Sequence, residues 1–163
     1  MSRAAGGALM GTAARRRRAL AHLSPIFELH LNRSRNPSEV AWSDYDFVAL
    51  TQLTVDVVAL PSGLDGNRGA PRPAVLREMA AAAATMAPGR PAAEHVHVAA
   101  HVLDHLLRHD EPTPYFPVSY ADPDDNWQTT TEPVRILYET LAADGSTLHV
   151  NVDLWGVRSL HAL

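Results

Sequence analysis

The chain has 163 residues, of which 46% are hydrophobic and 20% are charged, so it holds enough apolar material for one packed domain. It lacks cysteine, which excludes disulfides and thiolate chemistry and favours a reducing, cytoplasmic compartment. The net charge of −4 argues against nucleic-acid binding through the overall field, and no stretch approaches the roughly 18 apolar residues of a membrane-spanning helix.

Residues 1–23 form a basic leader rich in glycine and alanine. No acidic residue precedes Glu28, and four arginines follow one another at Arg15–Arg18. The weakly apolar stretch precedes these arginines, which is the reverse order of a secretory signal. We therefore predict a disordered N-terminal extension, in which a short arginine run has little specificity for phosphate or acidic lipid. A mitochondrial transit peptide is the alternative, but serine is scarce.

A helix is predicted over 44–60, because Ser43 can cap its first N–H groups and Asp44 and Asp46 favour the positive end of its dipole. At about 100° per residue the apolar side chains cover a broad face opposite a narrow polar wedge, so we expect the helix to be mostly buried. A strand is the rival interpretation, since apolar and polar residues also alternate over 53–57.

Two more helices are predicted after an exposed loop over 61–73, which is rich in proline and glycine. The first covers 74–86, is dominated by alanine and ends before a Pro-Gly pair. The second covers 92–109 and is amphipathic, with Glu94 and histidines opposite an apolar face. That apolar face comprises Val96, Ala99, Ala100, Leu103, Leu106 and Leu107.

A turn-rich connection with one short strand at 116–120 is predicted to lead to a β-hairpin at about 134–152. Apolar and polar residues alternate on both sides of an Asp-Gly turn, a pattern that favours the hairpin. A helix over 134–143, capped by Gly145, is the competing interpretation. Residues 154–163 show no clear period, and we interpret them as a tail left by truncation or by a shifted reading frame.

Histidines recur at every fourth position of the last predicted helix, at His97, His101, His105 and His109. Two imidazoles four residues apart can bind one zinc or copper ion. Successive members drift by about 40° around the helix, however, and lie on its polar face. We therefore predict a solvated face and no metal site, with His97, His101 and His105 as the candidates for a His-dependent metal-binding alternative. Protonation of these histidines at about pH 6 would make this face sensitive to pH.

No catalytic motif is present. The run from Asp122 to Asn126 is similar to the first half of a calcium loop, but Trp127 and Pro133 stand where that loop needs glycine and glutamate. A capped turn is therefore predicted. No glycine-rich phosphate loop, nucleophile elbow or His-Glu-x-x-His helix occurs in the sequence. We expect neither enzymatic activity nor a cofactor.

The predicted order of three or more helices followed by a β-hairpin is that of a winged-helix domain, which would span 24–153. The fold class is then α+β, mainly helical. A stand-alone DNA-binding regulator of this fold would use basic residues at or beside the helix over 74–86, and the candidates are Arg72, Arg77 and Arg90. These few arginines favour contacts with proteins over contacts with DNA.

Three stretches of the sequence look familiar, namely Leu103–Arg108, Val118–Trp127 and Val134–Asn151. They resemble the N-terminal region of kleisin-like subunits of Wadjet-type, Muk-related bacterial condensin systems, and the similarity covers roughly residues 24–153. The resemblance implies an intracellular, non-enzymatic adaptor between an SMC-type ATPase and a small accessory subunit, in a complex that acts on plasmid or chromosomal DNA.

The same resemblance implies that the winged-helix part mediates dimerisation or partner contacts and touches DNA indirectly. A kleisin also has a long helical middle and a second winged-helix domain. Neither is found among these 163 residues, so we expect a fragment of a longer protein.

Overall fold

Helices and two small antiparallel sheets make up this computed structural model, which describes residues 3–35, 38–59 and 69–153. The α-helices in these ranges are α1 (Arg3–His22), α2 (Ser24–Asn32), α3 (Phe47–Ala59), α4 (Arg72–Met86) and α5 (Ala92–Leu107). The strands are β1 (Ala70–Pro71), β2 (Phe116–Asp122), β3 (Gln128–Val134), β4 (Leu137–Leu141) and β5 (Leu148–Val152). The prediction of an α+β fold is confirmed.

Helix α1 occupies the segment for which the sequence predicted disorder. Alanine and arginine are strong helix formers, and the last turns of α1 pack against β2 and the turn that follows it. Ala19 is buried near the end of α1, and Leu23, between α1 and α2, belongs to the core. The stabilising contacts come from residues about a hundred positions away, which explains why local periodicity gave no sign of them.

The helix predicted over 44–60 is α3, so the rival strand interpretation is wrong. The predicted cap is wrong too: the side chain of Asp46, not of Ser43, accepts a hydrogen bond from the N–H of Ala49 at 3.0 Å. A short 3₁₀ turn over Trp42–Asp44 precedes the helix. Two buried threonines donate their hydroxyl protons to carbonyl oxygens four residues back, which lets β-branched polar residues stay inside this helix.

Helices α4 and α5 lie close to their predicted positions, with two differences. Helix α4 begins at Arg72, inside the predicted loop, because Pro73 suits the first turn of a helix. The apolar face of α5 is also rotated from its predicted position, since Val98 and Val102 are fully buried whereas Val96 is 56% exposed. Most of the predicted loop, residues 61–68, lies outside the described residues, as does the tail over 154–163.

The hairpin predicted at the end of the domain is formed by β4 and β5. Leu137 lies opposite Val152, and Leu141 lies opposite Leu148. The carboxylate of Asp144 accepts hydrogen bonds from backbone N–H groups two and three residues later, each at 2.9 Å, which fixes the turn. The competing prediction of a helix over 134–143 is therefore wrong. Strand β1 pairs with β5, giving a three-stranded sheet in the order β1-β5-β4.

A second hairpin, β2–β3, separates α5 from β4. The sequence predicted only part of β2 and missed β3, because β3 is rich in threonine, mostly exposed and without apolar alternation. The turn predicted at Asp122–Asn126 is confirmed: Asp122 accepts a hydrogen bond from the N–H of Asp124 at 2.9 Å. Val134 ends β3 and does not begin the last hairpin.

The core lies where α3, α4 and α5 pack together and against the three-stranded sheet. Phe47, Leu50, Met79, Leu103 and Leu137 are among its fully buried side chains. The β2–β3 hairpin packs on α1 and α2, and its residues Phe116, Val118 and Val134 extend the same core. Among the helices of the described segments, none combines the length and hydropathy that a membrane span requires.

Candidate interaction surfaces

The histidines of α5 pack against aromatic rings. The ring centroids of His97 and His101 lie 5.6 and 4.6 Å from that of Trp42, and the His101 ring also lies 6.0 Å from Phe47. The His105 ring lies 5.6 Å from Phe116. The prediction of a solvated histidine face is therefore wrong for His101, which is half-buried.

His101 and His105 line a cleft of about 380 Å³ together with Asp104 and Arg108. Burial lowers the pKa of both histidines, and the neighbouring histidine in each case lowers it further. Within the described ranges, no three His, Asp or Glu side chains are placed so that they could hold a metal ion. His97, His101 and His105 thus form a row of imidazoles and not a converging ligand set.

Arg72, one of the three DNA-contact candidates, lies within an ionic cluster between three elements. Its guanidinium donates to Glu139 on β4 at 2.6 Å and also to Asp104 on α5. All three side chains are at least partly buried. Arg72 therefore joins α4, α5 and the sheet, and it is not displayed for a phosphate.

Arg90 is also engaged within the protein. It donates two hydrogen bonds to Glu94, at 2.9 and 2.6 Å, and Tyr45 donates a third to the same carboxylate at 2.8 Å. The hydrogen bonds from Arg90 are the main cause that holds the pKa of Glu94 at about 2. Burial, followed by the bond to Glu94, raises the pKa of Tyr45 to about 12. Only Arg77 remains strongly exposed, 3.7 Å from Glu78, so the three candidates do not form a basic surface.

Helix α5 and the β4–β5 hairpin themselves contain neither arginine nor lysine, but Arg72 and Arg90 from neighbouring segments pair with three of their four carboxylates. Their charged residues are the acidic side chains Glu94, Asp104, Glu139 and Asp144. At the end of the hairpin, the paired residues Leu141 and Leu148 are 60% and 40% exposed. With most of its carboxylates paired with arginine, this surface is close to neutral and carries an exposed apolar pair at the end of the hairpin.

The arginine run attaches α1 to the β2–β3 hairpin. Arg18 donates to Glu132 at 2.8 Å, and His22 and Tyr120 lie 2.9 and 3.0 Å from the same carboxylate. Burial opposes ionisation of Glu132, but these hydrogen bonds outweigh it and lower its pKa. Arg17 donates to the carbonyl oxygen of Ala121 at 2.8 Å. The prediction of an unspecific arginine tail is wrong for these two arginines.

A stripe of exposed apolar side chains on α1 and α2 was not found from the sequence. Leu20, Phe27 and Leu31 are 52%, 44% and 74% exposed. Their separations of seven and four residues are helical spacings. The spacing is visible in the sequence, but it places these residues on one face only if the segment up to residue 22 is a helix. We predicted that segment to be disordered.

Comparisons of the chain with known protein families, with curated proteins and with solved structures find no match. Topology and surface chemistry are therefore the basis on which a function can be proposed.

Proposed function

We propose that this chain is a non-enzymatic adaptor whose winged-helix-like domain contacts protein partners. In this assignment α4 and α5 form the helix-turn-helix pair, and β4–β5 forms the wing. The connectivity α3-β1-α4-α5-β4-β5 and the sheet order β1-β5-β4 support it, with the β2–β3 hairpin as an insertion before the wing.

The charge of α5 and the wing is the observation on which the choice of partner depends. A helix-turn-helix protein that reads DNA places its second helix in the major groove and neutralises phosphates with Lys and Arg. That helix would be α5, and neither it nor the wing has a basic residue other than histidine. The lack of a free basic surface and the exposed pair Leu141 and Leu148 suit a protein partner instead.

The resemblance to kleisin-like subunits gives this adaptor a setting. We propose that the chain is part of such a subunit in an SMC or condensin-type complex that acts on DNA, in plasmid defence or chromosome maintenance. Its partners would be an SMC-type ATPase and a small accessory subunit. The alternative, a stand-alone winged-helix regulator, would need the basic surface that Arg72 and Arg90 do not supply.

Co-purification tests the adaptor. The chain is expressed with the SMC-type ATPase and the accessory subunit encoded in the same genome, and co-elution is measured by size exclusion at about 0.15 M salt, where weak surface charge pairs are screened. We expect a complex that is weakened by the double variant Leu141→Ser and Leu148→Ser. The control is Thr129→Ala, an exposed substitution on the other hairpin, which should leave the complex intact.

Mobility-shift assays with duplex DNA at two salt concentrations test the alternative function, a DNA-binding regulator. An adaptor of this charge should give no sequence-specific shift. A sequence-specific complex that weakens steeply as salt rises, together with no co-elution, would favour the DNA-binding regulator and contradict the adaptor.

A further inference from the structure

We infer that the outer face of α1 and α2 is a docking site for an acidic amphipathic helix of a partner protein. The site is centred on Leu20, Phe27 and Leu31, called here the outer stripe. This inference rests on the proposed adaptor function and adds to it the chemistry of one partner segment.

Helical phase continues from α1 into α2. Leu23 joins the two helices with helical backbone angles, φ −87° and ψ −9°, and its carbonyl oxygen accepts hydrogen bonds from the N–H groups of Ile26 and Phe27 at 3.0 and 3.3 Å. The inner face is buried at intervals of three or four residues, at Ala19, Leu23, Ile26 and Leu29. A turn at Leu23 and a proline in the first turn of α2 separate the helices, but the exposed residues of both lie opposite this buried face.

The outer stripe has the spacing of a coiled-coil seam. Leu20, Ser24, Phe27 and Leu31 are separated by four, three and four residues, as the a and d positions of a heptad are. Single exposed apolar residues are ordinary on a protein surface. Three on one helical line form the knobs that a second helix packs between, which indicates a helical occupant.

Charge determines which kind of helix fits. Residues 1–35 contain one acidic residue and seven arginines, of which Arg17 and Arg18 are bonded to Ala121 and Glu132 of the β2–β3 hairpin. Arg16 lies one turn before Leu20 and Arg35 lies just after Leu31, and both side chains are exposed, as is Glu28, the one carboxylate of this segment. The two flanking arginines outnumber that carboxylate along the stripe. An acidic helix complements this end of the protein, whereas a second copy that docks through the same stripe would bring like charges together.

An anionic membrane is the weaker match to the same basic, apolar stripe. Glu28 and Asn32 are exposed beside the stripe and would enter the interface of the bilayer with it. The acidic remainder of the protein would also face an extended anionic plane, whereas a docked helix reaches only the stripe. Repulsion from distant carboxylates is screened beyond about 10 Å for such a helix.

Fluorescence anisotropy with a designed peptide tests the docking site in the full chain. The probe is a labelled three-heptad peptide with leucine at a and d and glutamate at e and g, and the control peptide has lysine at e and g. We expect binding of the acidic peptide only, weakened by at least about tenfold in Phe27→Ser or Leu31→Ser and weakened by added salt. Tyr115→Ser, a matched exposed aromatic residue just before β2, should bind the peptide as the wild type does.

Several results would overturn the inference. These are no binding of the acidic peptide, equal binding of both peptides, or wild-type affinity in both stripe variants. A concentration-dependent dimer that Phe27→Ser abolishes would assign the stripe to a second copy, and binding to phosphatidylserine vesicles without peptide binding would assign it to a membrane. Circular dichroism confirms that the variants fold. The peptide test and the co-purification test are independent. Peptide binding without co-purification would contradict only the proposed adaptor function. Co-purification without peptide binding would contradict only the docking site at the outer stripe.

Discussion

Gly69, directly before β1, has a backbone conformation that residues with a side chain rarely adopt. Its φ is +66°, and a Cβ added there would collide with the carbonyl oxygen of Val150 and lie 2.6 Å from Oδ1 of Asn151. This close approach brings β1 alongside β5 at the edge of the sheet. A single missing side chain thus permits the strand pairing that joins α4 to the β4–β5 hairpin.

Gly69→Ala should lower the free energy of unfolding by about 2 kcal/mol or more, because it adds backbone strain and a clash with a neighbouring strand. Urea unfolding measures the change. Gly89→Ala is the matched control, since a Cβ there meets no atom within 4 Å, and its unfolding curve should stay close to the wild type. Equal curves for the two variants would show that β1 does not pack on β5 as described.

At the scale of elements, Arg72 connects a helix start, a helix face and a strand. It pairs with Asp104 on α5 and with Glu139 on β4. Because these contacts are partly buried, loss of the arginine leaves two carboxylates with less compensation. From the sequence we predicted Arg72 as a candidate DNA contact. That prediction was based only on its charge and its position beside a helix.

Arg72→Ala should therefore lower the free energy of unfolding by about 1–3 kcal/mol. Arg77→Ala, an exposed arginine on the same helix, should change it by less than about 0.5 kcal/mol. Thermal or urea unfolding of both variants makes the comparison. If instead both variants keep wild-type stability and both lose affinity for DNA, the two arginines act as phosphate contacts and the structural role is refuted.

At the scale of the whole molecule, stability should depend on pH through the α5 histidines. Burial lowers the pKa of His101 below its unfolded value of about 6.5, so the unfolded chain binds more protons as the solution becomes acidic. The contribution of neutral His101 is complete above about pH 7 and is lost as pH falls through 6.5 toward the folded pKa. The pKa of Glu94 is about 2 in the folded protein, so its contribution to stability is lost only at lower pH, as the pH falls below its unfolded value of about 4.3.

Urea unfolding at pH 7.5 and 5.5 should therefore show lower stability at the acidic pH, by at most about 1.4 kcal/mol per pH unit for one group. His101→Gln should flatten this dependence, even if loss of the contacts with Trp42 and Phe47 lowers stability at every pH. His109→Gln, an exposed histidine beyond α5, should keep the wild-type slope. An unchanged slope in His101→Gln would refute the assignment.

The sequence by itself determined the elements that have a local signature. Helices α3, α4 and α5 follow from apolar periodicity and alanine content, and the last hairpin follows from alternation around an Asp-Gly turn. The row of imidazoles also follows from spacing, because i and i+4 residues share a helix face. Composition alone showed that the chain has no cysteine and therefore no disulfide or thiolate chemistry.

Only the tertiary structure decided the features that depend on distant partners. Helix α1 is held by Glu132 through Arg18 and His22, more than a hundred residues apart in sequence, and β3 exists as a strand because it pairs with β2. Such contacts leave no periodic pattern in either segment, since the residues that make them are polar. The burial of His101 and the outer stripe of α1 and α2 became visible only once these elements were in place, because exposure is a property of packing and not of residue type.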